Sequence, residues 1–390
     1  MNIVIPASPP ARTELLAADL SQTPQVNALL TDLGLGRLAS SGVVSYPGRN
    51  KNWAGATSSG HQVFVKQLDG RNGQQRLARA VSYERTRAVH GGERIPSPPC
   101  LGWDESTGLM VFELLADATS GSDCAERDDG FGPHWCHRAG QITAATHHLP
   151  MEPPEPAEPA GSFFPLAHFE ALPLHTFANS SRAELEAWAL LQHDHEITDA
   201  LNRLDTVSAR VPRRASHTDL RLDQFLICGG QLYLTDWEEF RPADPARDIG
   251  SFVGEWLHRA VLAAAPDDTT TRLTPTQAMA RMTAEIERVR PRIRAFWQGY
   301  CETFAGPGPA CDDGTRERHD TPAQHSRQPE ADLAARATAF AGWHLYDRLL
   351  AGASQSARLG AFSRAAAGIG RNIVLHAGHF TAAIGLGETL

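Results

Sequence analysis

Apolar and polar positions alternate most sharply in residues 61–68, where Val63 and Val65 share one parity and Phe64 and Lys66 the other. A period of two predicts a strand. A second apolar strand is read in 108–115, and a weaker strand pattern opens at 37–45. Elsewhere apolar residues recur at helical spacing: 75–90, 131–148, 182–206, 246–265, 274–304, 331–350 and 361–375, with Pro291 expected to break or kink its helix. Two short apolar runs, 225–228 and 231–234, are separated by Gly229-Gly230, the signature of a tight β-hairpin. Strands gather in 37–116 and helices in 117–390, behind an N-terminal extension, 1–36, with one or two short helices. This order predicts an α+β protein with a small antiparallel sheet region before a larger, mostly helical one. The proline-rich acidic stretch 150–160 is expected on the surface. The polar, Gly- and Pro-rich stretch 306–330 is expected to be a disordered or mobile loop.

Composition narrows the class. A net charge of −9 argues against nucleic-acid binding, which wants a basic face. No basic-then-apolar start predicts a signal peptide and no run is long enough to cross a membrane. Six cysteines lack paired short spacings, so reduced thiols and a cytoplasmic location are expected. His134, Cys136, His137, His147 and His148, with Cys124 nearby, match no common zinc spacing.

The chemistry is expected around the hairpin. Asp219 and Gln224 precede its first strand and Asp236 follows its second, so folding should bring them to one small gap. Two acids and a carboxamide, all oxygen donors, suit a hard divalent cation such as Mg²⁺ and point to phosphoryl transfer. Asp244 is read as a helix N-cap and Asp248 as a brace of the preceding loop. Lys66, buried in an apolar strand, needs a partner. The turn-rich stretch 46–55 lacks a G-x-G-x-x-G, yet Gly48 and Gly55 allow close backbone approach, and Arg49, Asn50 and Asn52 offer donors to phosphate.

These strings resemble the aminoglycoside phosphotransferase and choline-kinase-like superfamily, whose loop runs H-G-D-L-x-x-x-N, then a hairpin, D-W-E and D-P-x-x-D. Here His217-Thr218-Asp219, Asp236-Trp237-Glu238 and Asp244-Pro245-Ala246-Arg247-Asp248 stand in matching order. Thr218 replaces the family's Gly and Gln224 its Asn. The resemblance implies a two-lobed protein-kinase-like fold that uses ATP and Mg²⁺. Asp219 would take or orient the proton of the acceptor hydroxyl, with metal held by Gln224 and Asp236. Arg221 would neutralise the phosphoryl group, unless it serves as a salt-bridge partner. Lys66 would reach the α and β phosphates, held by Glu84 from the next helix. Glu113, Leu114 and Leu115 would form the hinge that binds adenine through backbone groups. His217 would be a structural anchor.

Finer strings, GRNKNWAG (48–55), VFVKQL (63–68), LRLDQFL (220–226), DWEEFRPADPARDIG (236–250), GEWLHRA (254–260) and AGIGRNIVL (367–375), resemble kinase-like enzymes of class V lanthipeptide and thioamitide biosynthesis. That resemblance implies a precursor peptide phosphorylated on Ser or Thr, with partner lyase and cyclase proteins completing the modification. The alternatives are a small-molecule kinase of the aminoglycoside phosphotransferase type, and a pseudokinase scaffold that binds nucleotide and a partner enzyme.

Overall fold

The computed structural model describes residues 16–17, 20–21, 23–39, 41–46, 48, 50–70, 72–90, 92–127, 130–151, 162–266, 272–305, 327–354 and 356–387, with side chains omitted at 17 and 327–332. Arg49, the linker from residue 152 and most of the 306–330 loop therefore lie outside the described residues. In chain order the strands are β1 (Leu16–Ala17), β2 (Val44–Ser45), β3 (Lys51–Ala56), β4 (Gln62–Gln67), β5 (Cys100–Asp104), β6 (Leu109–Glu113), β7 (Thr119–Ser120), β8 (Arg214–Ser216), β9 (Phe225–Cys228), β10 (Gln231–Leu234) and β11 (Arg241–Ala243). The helices of the first stretch are α1 (Pro24–Asp32), α2 (Gly73–His90) and α3 (Gly121–Ala125). Those that follow are α4 (Pro133–His147), α5 (Leu166–Glu170), α6 (Leu174–Asn179), α7 (Arg182–Gln192), α8 (His195–Ser208), α9 (Ala246–Ala263), α10 (Pro275–Phe304), α11 (Arg327–Ala353), α12 (Ala361–Leu375) and α13 (Ala377–Ile384). The α+β order expected from the sequence is the order found: an antiparallel sheet first, helices after.

The chain forms two compact units, one running to Phe131 and including Leu222–Phe240, the other made of Gly132–Arg221 and the chain from Arg241 onward. Residues 222–240, read from the sequence with the helical region, thus cluster with the sheet.

In the sheet unit the antiparallel order is β1-β2-β3-β4-β6-β5. Side chains alternate across a strand, so its two faces serve different helices. Val63, Val65, Leu109 and Val111 pack with Val26, Leu29 and Leu30 of α1. Met110 packs instead with Leu77, Ala80 and Val81 of α2. Lys66 pairs directly with Met110 across β4 and β6, so it shares that second face. The glycine hairpin forms as expected: β9 and β10 pair from Phe225↔Leu234 to Cys228↔Gln231. Gly229 and Gly230 take φ of +56° and +75°, which side-chain-bearing residues resist.

The helical unit packs α4 along α10 and α11 along both α9 and α12. A methyl group on Gly140 would collide with the Phe296 carbonyl of α10, so glycine permits that close approach. β8 and β11 pair antiparallel within this unit.

Three local expectations need correction. The single helix 182–206 is two: the first closes at its C-cap His193, and Asp194 caps the next, accepting the Ile197 N–H at 3.3 Å while paired to Arg371. Pro291 does not break α10, which runs through as 30 residues. Its packing against α4 and α9 outweighs the single backbone hydrogen bond that proline removes. Asp244 is not the cap of α9; Pro245 holds that position, and Asp244 accepts the Ala246 N–H at 3.0 Å and pairs with Arg336 at 2.8 Å. Among the described residues no helix is long and apolar enough to cross a membrane.

Candidate functional site

The sheet unit concentrates charge at one place. β4 delivers Lys66, whose ammonium contacts the Asp236 carboxylate and lies 2.7 Å from Glu238 Oε2. That same Oε2 accepts from Arg76 of α2 at 3.1 Å and from the Asn50 amide at 2.9 Å. The Asn50 side-chain oxygen in turn accepts from Arg76. Arg79, one turn on, pairs with Glu239 at 2.7 Å. Burial alone would pull the Lys66 ammonium down; the Asp236 and Glu238 carboxylates outweigh it and hold its pKa above the ordinary value. The lysine therefore stays charged, an anchored cation that a phosphate oxygen could approach.

This corrects the expected partner of Lys66. Glu84 is paired to Arg87 at 3.4 Å, and burial pushes its carboxyl up against the pull of that arginine. The reason is geometric: toward residues 236–239, α2 presents Arg76 and Arg79, so the carboxylates come from the other segment. Glu238 and Glu239 were missed as functional candidates. The only signal was Glu238 as the third letter of D-W-E.

The stretch 46–55 is also less of a loop than expected, since β3 begins at Lys51. Asn52 is buried, its amide accepting the Tyr46 N–H at 2.7 Å and donating to the Tyr46 carbonyl at 2.8 Å. It shapes the turn and has no donor to offer phosphate. Gly48 is exposed and Asn50 belongs to the charge cluster. At the end of β6, the Glu113 N–H goes to the Pro99 carbonyl at 2.9 Å and the Leu114 N–H to Gln62 at 3.0 Å. Two of the three N–H groups assigned to adenine are thus engaged by the sheet. Among the described residues the Leu115 N–H makes no backbone hydrogen bond.

The hairpin joins the two metal candidates. The Thr235 N–H and hydroxyl both donate to the Gln224 carbonyl, at 2.9 and 3.0 Å, tying the residue before Asp236 to Gln224. Asp236 takes a left-handed φ of +66°, uncommon for a residue with a side chain. Gln224 is buried, and among the described residues its amide makes no hydrogen bond. A carboxylate and an uncommitted amide oxygen fit a hard cation that keeps part of its water shell.

The helical unit holds the other half of the predicted set. Asp219 pairs with Arg221 at 3.3 Å, so the salt-bridge alternative for Arg221 is realised. The loop before it is pinned from below by Asp248. Its carboxylate takes the His217 N–H at 2.8 Å and the Thr218 N–H at 2.7 Å. It also accepts from His147 of α4 at 3.1 Å. Burial would raise the Asp248 carboxyl, but the hydrogen bonds it accepts, that of His147 foremost, hold it below the usual range. Thr218 sits at φ +63°, a region that costs a β-branched residue about 1–2 kcal/mol. That explains why the resembling motif has glycine there and why two N–H groups are clamped. His217 is an anchor as expected, its Nδ1 facing the Asp219 N–H at 3.4 Å.

Among the described residues no three His, Cys, Asp or Glu gather as a metal site, and the five described cysteines are free thiols. His137 pairs with Glu302 at 2.9 Å and His148 with the Phe304 carbonyl at 3.2 Å.

No family model and no curated protein matches the chain. Among solved structures, it is similar to choline kinase LicA from Streptococcus pneumoniae, at 14% identity over 90% of this chain and 98% of that one, with a TM-score of 0.47. A choline/ethanolamine kinase family protein from Mesorhizobium loti is similar at 17% identity over 94% and 99%, TM-score 0.47. The ADP-bound aminoglycoside phosphotransferase APH(2'')-Ib is similar at 9% identity over 92% and 98%, TM-score 0.44.

Proposed function

We propose that this protein is an ATP- and Mg²⁺-dependent phosphotransferase acting on a hydroxyl. One observation carries the reading: a strand lysine, Lys66, ion-paired to Asp236, the acid that follows a hairpin begun by Gln224. Asp236 and Gln224 would hold Mg²⁺, which neutralises phosphate charge when bound. Lys66 faces the phosphates, and the Leu115 N–H receives the adenine edge. Asp219 orients the acceptor hydroxyl and takes its proton as the oxygen–phosphorus bond forms. The bond from the γ-phosphorus to the bridging oxygen breaks and ADP leaves. Because such a transition state is loose, positioning and charge dominate over base strength.

For the acceptor, a small hydroxylated molecule is the first reading. The strings that resemble the peptide-modifying branch have internal tasks in this chain. Asn52 holds the Tyr46 turn, and Trp237 stacks on Tyr83. Arg247 lies over the Phe163 ring, Glu255 meets His344, and Arg371 meets Asp194. Packing accounts for these residues without a peptide. The precursor-peptide acceptor, with lyase and cyclase partners, is the second reading, favoured by the joint occurrence of those strings. Free thiols and use of ATP suit a cytoplasmic location.

The test is intact-mass spectrometry with Mg-ATP against hydroxylated amines, including choline and aminoglycosides, and a Ser/Thr-rich peptide in parallel. A phosphoryl mass gained by one class alone names the acceptor. Asp219→Asn should abolish transfer and leave ATP binding nearly intact; wild-type turnover in that variant would sink the assignment. ATP binding without transfer to any acceptor would favour the pseudokinase alternative.

A further inference from the structure

His147 is a buried titratable side chain for which the proposed chemistry has no use. It lies near the end of α4, is 1% exposed, and is neither on the surface nor part of a metal cluster. Its two ring nitrogens have different partners. Nε2 lies 3.1 Å from the Asp248 carboxylate of α9, and Nδ1 lies 3.0 Å from the Tyr300 hydroxyl of α10. An ionised carboxylate can only accept, so the ring donates at Nε2. The tautomer this dictates leaves Nδ1 to accept from the Tyr300 hydroxyl, which fixes the ring orientation. Tyr300 is itself 1% exposed, and its ring meets the imidazole edge-on at 5.5 Å.

Asp248 is the hub. Its Oδ1 accepts the Thr218 N–H, and its Oδ2 accepts both the His217 N–H and the His147 ring. The backbone it clamps includes Thr218 in its left-handed, costly conformation, and the next residue is Asp219. A fully buried carboxylate without enough donors must either protonate or move. Either change would release the 217–218 amides.

We propose that Tyr300 and His147 form a hydrogen-bonded relay that positions Asp219 through Asp248, making both of them positioning residues of the proposed phosphotransfer. The chain of contacts crosses three helices and ends on the backbone that carries the acid: Tyr300 hydroxyl, His147 ring, Asp248 carboxylate, then the His217 and Thr218 amides. This rests on the phosphotransferase reading for its catalytic consequence, but not for its structural one.

The experiment separates the two. Amide hydrogen exchange at His217 and Thr218 is measured in the wild type, Tyr300→Phe, His147→Gln and His147→Leu, with core amides of α9 as the internal reference. Tyr300→Phe keeps the ring and removes one hydroxyl, so folding is preserved. His147→Gln keeps a donor near Nε2, and His147→Leu keeps bulk alone. The relay predicts that exchange at these two amides rises several-fold in Tyr300→Phe and more in His147→Leu, with His147→Gln close to wild type and the α9 amides unchanged. Turnover should fall in the same order while KM for ATP stays constant. Wild-type exchange at both amides in Tyr300→Phe and His147→Leu would overturn the relay. So would equal acceleration of the α9 amides in Tyr300→Phe, which would mean general loosening. If exchange behaves as predicted but the wild type transfers no phosphate, the relay stands and the phosphotransferase reading fails.

Discussion

Tyr83 of α2 and Trp237 lie face to face, ring centroids 3.6 Å apart and planes 8° apart. The Tyr83 hydroxyl and the Trp237 indole N–H meet the same Ser97 hydroxyl, at 2.7 and 3.2 Å. Burial drives the Tyr83 phenol well above its ordinary pKa, so it remains a neutral hydrogen-bonding group. This stack holds α2 against the 236–239 segment, and so sets the spacing at which Arg76 and Lys66 reach Glu238. Trp237→Ala should destabilise the protein by about 3–5 kcal/mol, with Trp237→Phe costing distinctly less. Urea denaturation checks it; an alanine variant within experimental error of wild type would remove the stack from the account.

Lys66 supports stability as well as the proposed chemistry. Its pKa is held above the ordinary lysine value by Asp236 and Glu238, so its contribution is fully present below about pH 10.4 and is lost as pH rises through the folded pKa. Thermal midpoints should drop more steeply for wild type than for Lys66→Met above that pH. Lys66→Met should also lower phosphotransfer by a factor of roughly 10² or more, the scale of removing one anchored charge at a reacting phosphate.

Acid should act through α9. Glu255 is held down at about 2, its burial outweighed by its hydrogen bond to His344. Burial pushes His258 down to about 4, with Glu255 opposing. Both folded values lie below the ordinary ones, so both contributions are complete at neutral pH. Stability from His258 is lost as pH falls from about 6.5 toward 4, and that from Glu255 as it falls further, from about 4.5 toward 2. His258→Gln should flatten the melting-temperature profile between pH 6.5 and 4; an unchanged slope would count against the burial of this imidazole.

Gly254 marks where α9 and α11 touch. A methyl group there would lie 2.5 Å from His344 Cβ and 2.8 Å from the Ala341 carbonyl oxygen, both parts of a packed helix that cannot yield locally. Gly254→Ala should cost about 1–3 kcal/mol despite the better helix propensity of alanine. Equilibrium unfolding would show it, and a stabilised variant would mean the two helices separate easily.

Local pattern alone determined much of this protein. The alternation in 61–68, the Gly229-Gly230 hairpin and the helical spacing of α2, α4, α9 and α12 were all legible, because each depends on neighbours within a few turns or on a turn that only certain residues tolerate. Pairings between distant segments were not legible. Sequence spacing nominated Glu84 for Lys66, but which face α2 turns inward depends on the Tyr83–Trp237 stack, and that face presents arginines. Asn52 looked like a phosphate donor until β3 buried it. The Glu113 and Leu114 N–H groups looked available until the sheet engaged them. Nothing around His147 in the chain hinted at Asp248 or Tyr300, which are 101 and 153 residues away. Side-chain partnership is decided by burial, where an unpaired charge or N–H is costly, and burial is a property of the packed tertiary structure.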